Sequence, residues 1–101
     1  MKSNSLERKI KLKSGFFKLE PFTMIINYNE LILRQYQVKN PKEFRIKITD
    51  IKTISIYNQL PLEIEIITEN ESFIANFIAE DDKSEILAFI YLIFGNRFNY
   101  Y

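Results

Sequence analysis

The chain has no cysteine, no histidine and no tryptophan in its 101 residues. Without cysteine there is no disulfide framework, no thiolate nucleophile and no zinc–sulfur site. Without histidine the usual general base and the commonest transition-metal ligand are missing. Only 2 glycines and 3 prolines are present, which argues against a linker or low-complexity protein. Gly15 and Gly95 stand far apart, so no glycine-rich phosphate loop exists. An excess of one charge is lacking as well: 14 Lys and Arg against 13 Asp and Glu leave a net +1. Nucleic acid, whose binding rests on many neutralised phosphates, is therefore not an expected partner. The longest apolar run, Ile86 to Phe94, is far short of the about 20 residues that cross a bilayer. Met1 to Ser5 is polar and basic, and the alternating sequence after it does not read as a signal peptide. A cytoplasmic location is expected, and the Ile-, Lys- and Asn-rich composition suggests an AT-rich, bacterial genome.

What the chain does have is 47% hydrophobic and 15% aromatic residues, with isoleucine dominant. β-branched and aromatic side chains suit pleated, half-buried surfaces, and one domain of this length fills one core. Alternation starts near Arg8, with Ile10 and Leu12 on one face and Lys9, Lys11 and Lys13 on the other. Gly15 marks a bulge or a turn, and Glu20-Pro21 a break. Strands are then expected over Phe22–Tyr28 and Glu30–Gln37, joined by a tight turn at Asn27-Tyr28-Asn29-Glu30. Further strands are expected over Glu43–Thr49, Lys52–Tyr57, Leu62–Thr68 and Phe73–Ala79. Asp82 followed by Glu85 forms a capping box, Glu80 and Asp81 suit the positive end of a helix, and Gly95-Asn96 supplies a stop.

The fold class read from this order is mainly β: seven antiparallel strands in an open barrel capped by a C-terminal α-helix. A single domain spans residues 1–101. Residues 1–7 are read as a flexible tail, 82–95 as the helix and 96–101 as an aromatic tail.

Three stretches resemble the pleckstrin-homology-like superfold, and within it the GRAM and bacterial PH-like domains. Phe22 to Leu33 (FTMIINYNELIL) looks like the family's strand–turn–strand segment. Ile46 to Ile56 (IKITDIKTISI) looks like its acidic-Ile corner between strands. Leu62 to Ile93 matches its last two strands and closing helix. The resemblance implies a non-enzymatic binding module. It also places Lys9, Lys11, Lys13 and Lys18 near the first hairpin, where lipid-binding members carry basic residues.

Several side-chain groupings bear on function. The lysine row projects cations toward an anionic surface, worth about 1 kcal/mol per lysine near anionic lipid, or else it is a solvated strand face. Glu80, Asp81, Asp82 and Glu85 lack the glycine and spacing of a calcium loop, so helix capping accounts for them and no metal is expected. Glu63 and Glu65 share a face, which suits cross-strand pairing with Lys or Arg better than acid–base chemistry. No cofactor and no catalytic residue is expected.

The helix is apolar nearly all round after Glu85. Ile86, Phe89, Ile90 and Ile93 form a core stripe, whereas a surface helix should show a polar back. Its outer side must be covered either by the tail or by another molecule. Tyr91, Leu92, Phe98, Tyr100 and Tyr101 are accordingly candidates for binding a protein partner or a second copy. The alternatives are a peripheral membrane module acting through the four lysines and a small inhibitor or immunity-type protein.

Overall fold

The computed structural model describes residues 4–16, 18–78 and 83–101. Eight strands appear in chain order: β1 Ser5–Ser14, β2 Lys18–Asn27, β3 Glu30–Gln35, β4 Glu43–Lys47, β5 Ile51–Tyr57, β6 Glu63–Thr68, β7 Ser72–Phe77 and β8 Phe98–Tyr100. Among the described residues one α-helix, α1, covers Lys83–Phe94. All eight strands form one sheet in the order β4-β3-β2-β1-β7-β6-β5-β8. Every neighbouring pair is antiparallel except β5 with β8. The sheet curls without closing, and β4 and β8 are its edges.

Period-two alternation builds the core. Leu6, Ile10 and Leu12 of β1 and Phe22, Met24 and Ile26 of β2 point inward and are buried. They meet Ile54 and Ile56 of β5, Ile64 and Ile66 of β6, and Ala75 and Phe77 of β7. The remaining side of the core is filled by Ile86, Ile90 and Phe94 of α1, with Leu87, Phe89 and Ile93 half-buried around them. A fully buried residue of this type contributes about 1.5–3 kcal/mol, so the concave face holds most of the stabilisation.

The expected architecture of strands followed by one closing helix is present, with three differences. First, Pro21 does not break a strand. It pairs with Lys11 inside a continuous β2, because its carbonyl accepts from Tyr36 N–H at 3.2 Å. Its nitrogen therefore faces the β3 side, one residue past the last β2–β3 pair, Phe22 with Gln35, and no donor to β1 is lost. Secondly, β1 begins at Ser5 and pairs with β2 from there, so Ser5, Leu6 and Glu7 belong to the sheet and not to a tail. Thirdly, the segment after the helix is no free tail: Gly95–Arg97 form a 3-10 turn and Phe98–Tyr100 a strand. The described residues thus hold eight strands.

Turns follow their residue chemistry. Asn27 Oδ1 accepts from the N–H groups of Asn29 and Glu30 at 2.8 and 2.9 Å, which closes the β2–β3 turn. Gly15 and Gly95 have φ of +74° and +58°, the left-handed region that glycine tolerates. They reverse the chain after β1 and end α1. Buried Gln35 donates to Glu20 at 2.8 Å and accepts from Lys42 N–H at 3.0 Å, which pins the β3–β4 loop. The expected capping residues Asp82, Glu80 and Asp81 lie outside the described residues. Glu85 is ion-paired with Arg8 through its Oε1.

Candidate functional site

The alternation that buries Leu6 and Ile10 also turns Arg8 toward the helix side of β1, since residues 6, 8 and 10 share a face. Arg8 meets Glu85 on the first turn of α1, and its Nη1 donates to the Glu7 carbonyl at 2.8 Å. Beside this ion pair runs an open groove of about 890 Å³ between α1 and the start of β1. Leu6, Phe89 and Leu92 supply its apolar lining, and Tyr28, at the β2–β3 turn, stands on its rim. Leu92 is 62% exposed and Tyr91, one residue before it, 65% exposed. The groove can hold an apolar side chain against Leu6 and Phe89 and offer polar contacts at Arg8 and Glu85. Ser5 and Glu7 also line it, and no group of metal-ligating side chains occurs among the described residues.

The sequence candidates are distributed unevenly around this site. Tyr91 and Leu92 lie on the exposed side of α1. Phe98 is half-buried, packs against the core and pairs with Ile54. Tyr100 pairs with Ile56 in β8 and stays partly exposed. Tyr101 donates its N–H to the Ile56 carbonyl at 2.9 Å and stacks on Tyr57 with ring centroids 5.2 Å apart. The tail is thus used in the sheet, with Tyr101 on its outer face. The sequence reading missed Leu6, Arg8 and Tyr28. The available signal was Arg8, a charged residue at an inward position of an otherwise regular alternation.

The lysines do not form one patch. Lys9, Lys11 and Lys13 share the outer face of β1, whereas Lys18 opposes Ser14 and shares the register of inward-facing Phe22 and Met24. Lys9 Nζ sits 5.0 Å from the Tyr36 ring centroid, a cation–π contact. Lys13 pairs with Glu63 at 3.1 Å, which places Glu63 in the expected cross-strand role. Glu65 accepts from the Tyr57 hydroxyl at 3.0 Å. That hydrogen bond, with burial second, raises the Tyr57 phenol above its ordinary value. The Lys11 and Lys18 ammonium groups form no ion pair among the described residues. At the hairpin tip between β1 and β2, Phe16 is 99% exposed.

No family model matches the sequence, and no curated protein resembles it. Solved structures do match its backbone. A chain in the structure of the Spt16D–Pob3N heterodimer superposes with a TM-score of 0.72 at 12% identity, over 97% of this chain and 54% of that one. The N-terminal PH domain of human ARAP2 superposes with a TM-score of 0.69 at 8% identity, over 92% and 81%. The fold is pleckstrin-homology-like. A C-terminal domain of an unknown protein from Leishmania infantum gives a TM-score of 0.64 at 20% identity, over 86% and 82%. The PH-like unit thus spans about half of the first of these chains. No helix among the described residues is long and apolar enough to cross a membrane.

Proposed function

We propose that this chain is a non-enzymatic, PH-like binding module that seats a protein segment in the groove between α1 and the start of β1. The observation that carries the reading is the uncovered side of α1. Tyr91 and Leu92 face solvent although the tail, the nearest segment able to cover them, is committed to the sheet as β8. An exposed tyrosine beside a cleft of mixed polar and apolar lining is the composition of an interface anchor, and Leu92 adds apolar area to it. One of the similar structures is a heterodimer, which is compatible with this use of the fold. A photo-crosslinking residue at Ala88, which lines the groove, should trap a partner in native lysate. The same residue at Asn70, in the exposed β6–β7 turn, should not. Equal adducts from both positions, or none from Ala88, would refute the reading.

A second reading, docking to anionic membrane, is favoured by the hairpin tip. There an almost fully exposed Phe16 stands near Lys18, an apolar wedge beside a cation. Salt-sensitive co-sedimentation with phosphatidylserine vesicles that is lost in Phe16→Ser and Lys18→Glu would support it. Equal binding to neutral vesicles would reject it.

A further inference from the structure

A sheet that does not close leaves two edges, and the β4 edge has a specific pattern. Lys42 and Ile48, on either side of β4, bond to β3: Gln35 N–H donates to the Lys42 carbonyl at 2.9 Å, and Ile48 N–H donates to the Asn29 carbonyl at 3.0 Å. In a regular antiparallel ladder the main-chain groups of alternate residues point to the same side. Phe44 and Ile46 therefore bond to β3, while the N–H and C=O groups of Glu43, Arg45 and Lys47 point away from it. The Lys47 carbonyl caps the 3-10 turn Ile48–Asp50, whereas the outward N–H groups of all three residues and the carbonyls of Glu43 and Arg45 have no hydrogen-bond partner among the described residues. The same three residues carry exposed, charged side chains on the outer face of the sheet.

A charged edge normally blocks strand addition. The order Glu-x-Arg-x-Lys is different under one operation. When a strand of this sequence meets a second copy antiparallel, with Arg45 on the two-fold axis, Glu43 of each faces Lys47 of the partner subunit. This register also pairs the N–H and C=O of Arg45 with those of its counterpart across the axis and sets the Lys47 N–H against the Glu43 carbonyl of the partner subunit, and it brings Phe44 opposite Ile46 of the partner subunit on the other face. The two arginines at the axis are already neutralised. Arg45 donates Nε to Glu43 at 2.7 Å and Nη1 to Glu30 at 2.9 Å, and Arg34 donates to Glu43 at 2.8 Å. The Lys47 ammonium forms no ion pair among the described residues, and it is the group the partner's Glu43 would meet. We propose that β4 is a self-association edge, by which a second copy of this chain pairs antiparallel with the first and extends the sheet across a two-fold axis. This surface is separate from the groove beside α1, so the two readings stand or fall independently.

Lys47 also supplies the discriminating variant. Its φ of −65° and extended ψ of 141° suit proline, and its N–H faces away from β3. Lys47→Pro should therefore leave the subunit folded while removing an interface donor and adding bulk at the edge. Lys47→Glu sets two carboxylates against each other at each end of the pairing. The experiment is a light-scattering concentration series on the full chain, with circular dichroism and thermal melts on each variant. The expected result is a concentration-dependent dimer whose dissociation constant rises at least about tenfold in both Lys47 variants and is unchanged in Leu92→Asp. If Lys47→Pro melts early, Lys47→Glu decides. A wild-type chain that stays monomeric to about 100 μM overturns the proposal. So does a dimer indifferent to both Lys47 variants, or one that dissolves in Leu92→Asp.

Discussion

Arg97 is the side chain on which the docking of the C-terminal segment depends, and its removal can be worked through. From the 3-10 turn after α1 it reaches the corner between β4 and β5. There its Nη1 donates to the Ile48 carbonyl at 2.9 Å and to the Ile51 carbonyl at 2.8 Å. The guanidinium also lies over the Phe94 ring at 5.3 Å. A hydrogen bond from a charged donor contributes about 1.5–3 kcal/mol net. Arg97 is only half-buried, so water can reach the freed carbonyls in part, and both bonds belong at the low end. Releasing the ordered side chain returns up to about 2 kcal/mol of entropy, while the lost cation–π contact costs about 0.5–1 kcal/mol. The net loss comes to about 2 kcal/mol, a large fraction of the roughly 5–15 kcal/mol that holds a domain of this size. Arg97→Met is the clean perturbation, because it keeps an apolar stem over Phe94 and removes only the donors. Urea unfolding followed by tyrosine fluorescence should show a midpoint lowered by about 1 M, given slopes near 1–3 kcal/mol per molar for small proteins. Melting should fall by about 8–16 °C. A midpoint within about 0.3 M of wild type would mean that the two carbonyls do not need the arginine, and that β8 is held by the sheet alone.

Four further variants probe the C-terminal strand and two side-chain networks. Phe98→Ala should cost about 2–3 kcal/mol, below the range for a fully buried phenylalanine. Deleting residues 98–101 should cost at least as much, so truncation is a test of stability and not of binding; an unchanged urea midpoint for either would contradict the role of β8. Hydrogen bonds from Arg34 and then Arg45 hold the Glu43 carboxyl below its ordinary range. Its contribution is therefore present at neutral pH and lost as pH falls through that lowered value. Glu43→Gln should flatten the acid limb of the stability curve, and an unaltered limb in acid-unfolding experiments would count against the network. The raised Tyr57 phenol gives the opposite sense. The folded state keeps it neutral where the unfolded chain ionises, so its contribution is whole below about pH 10 and is lost as pH rises through the higher folded value. Glu65→Gln should shift this titration, read by absorbance of tyrosinate, back toward the ordinary value, and no shift would remove Glu65 as its cause.

Much of this fold is legible without coordinates, because most of its elements are local. Ile10 and Leu12 alternate with lysines, and Ile86 and Ile90 recur at helical spacing. In each case a single periodicity names both the element and its buried face. Asn27 and Gly95 announce their turns by chemistry that acts within a few residues. The closing-helix architecture follows from the order of these segments.

The remaining features depend on partners far away in the chain. Three residues after a glycine carry too little pattern to read as a strand, and Phe98–Tyr100 become β8 only because the Ile54–Ile56 backbone lies beside them. Pro21 reads as a stop until the neighbour across from its nitrogen is known. The four lysines look like one patch in sequence. The hairpin at Gly15 resets the alternation and sends Lys18 to the other face, while Glu63 and Tyr36 engage Lys13 and Lys9. The groove, too, is assembled from β1, a turn and a helix that are distant in sequence, and its key residue, Arg8, is distinguished only by the face it occupies. Periodicity thus fixes which side chains each element buries, since that depends on neighbours two to four positions away. Which exposed groups come together, and which edges stay open, depends on how separate elements close around one core.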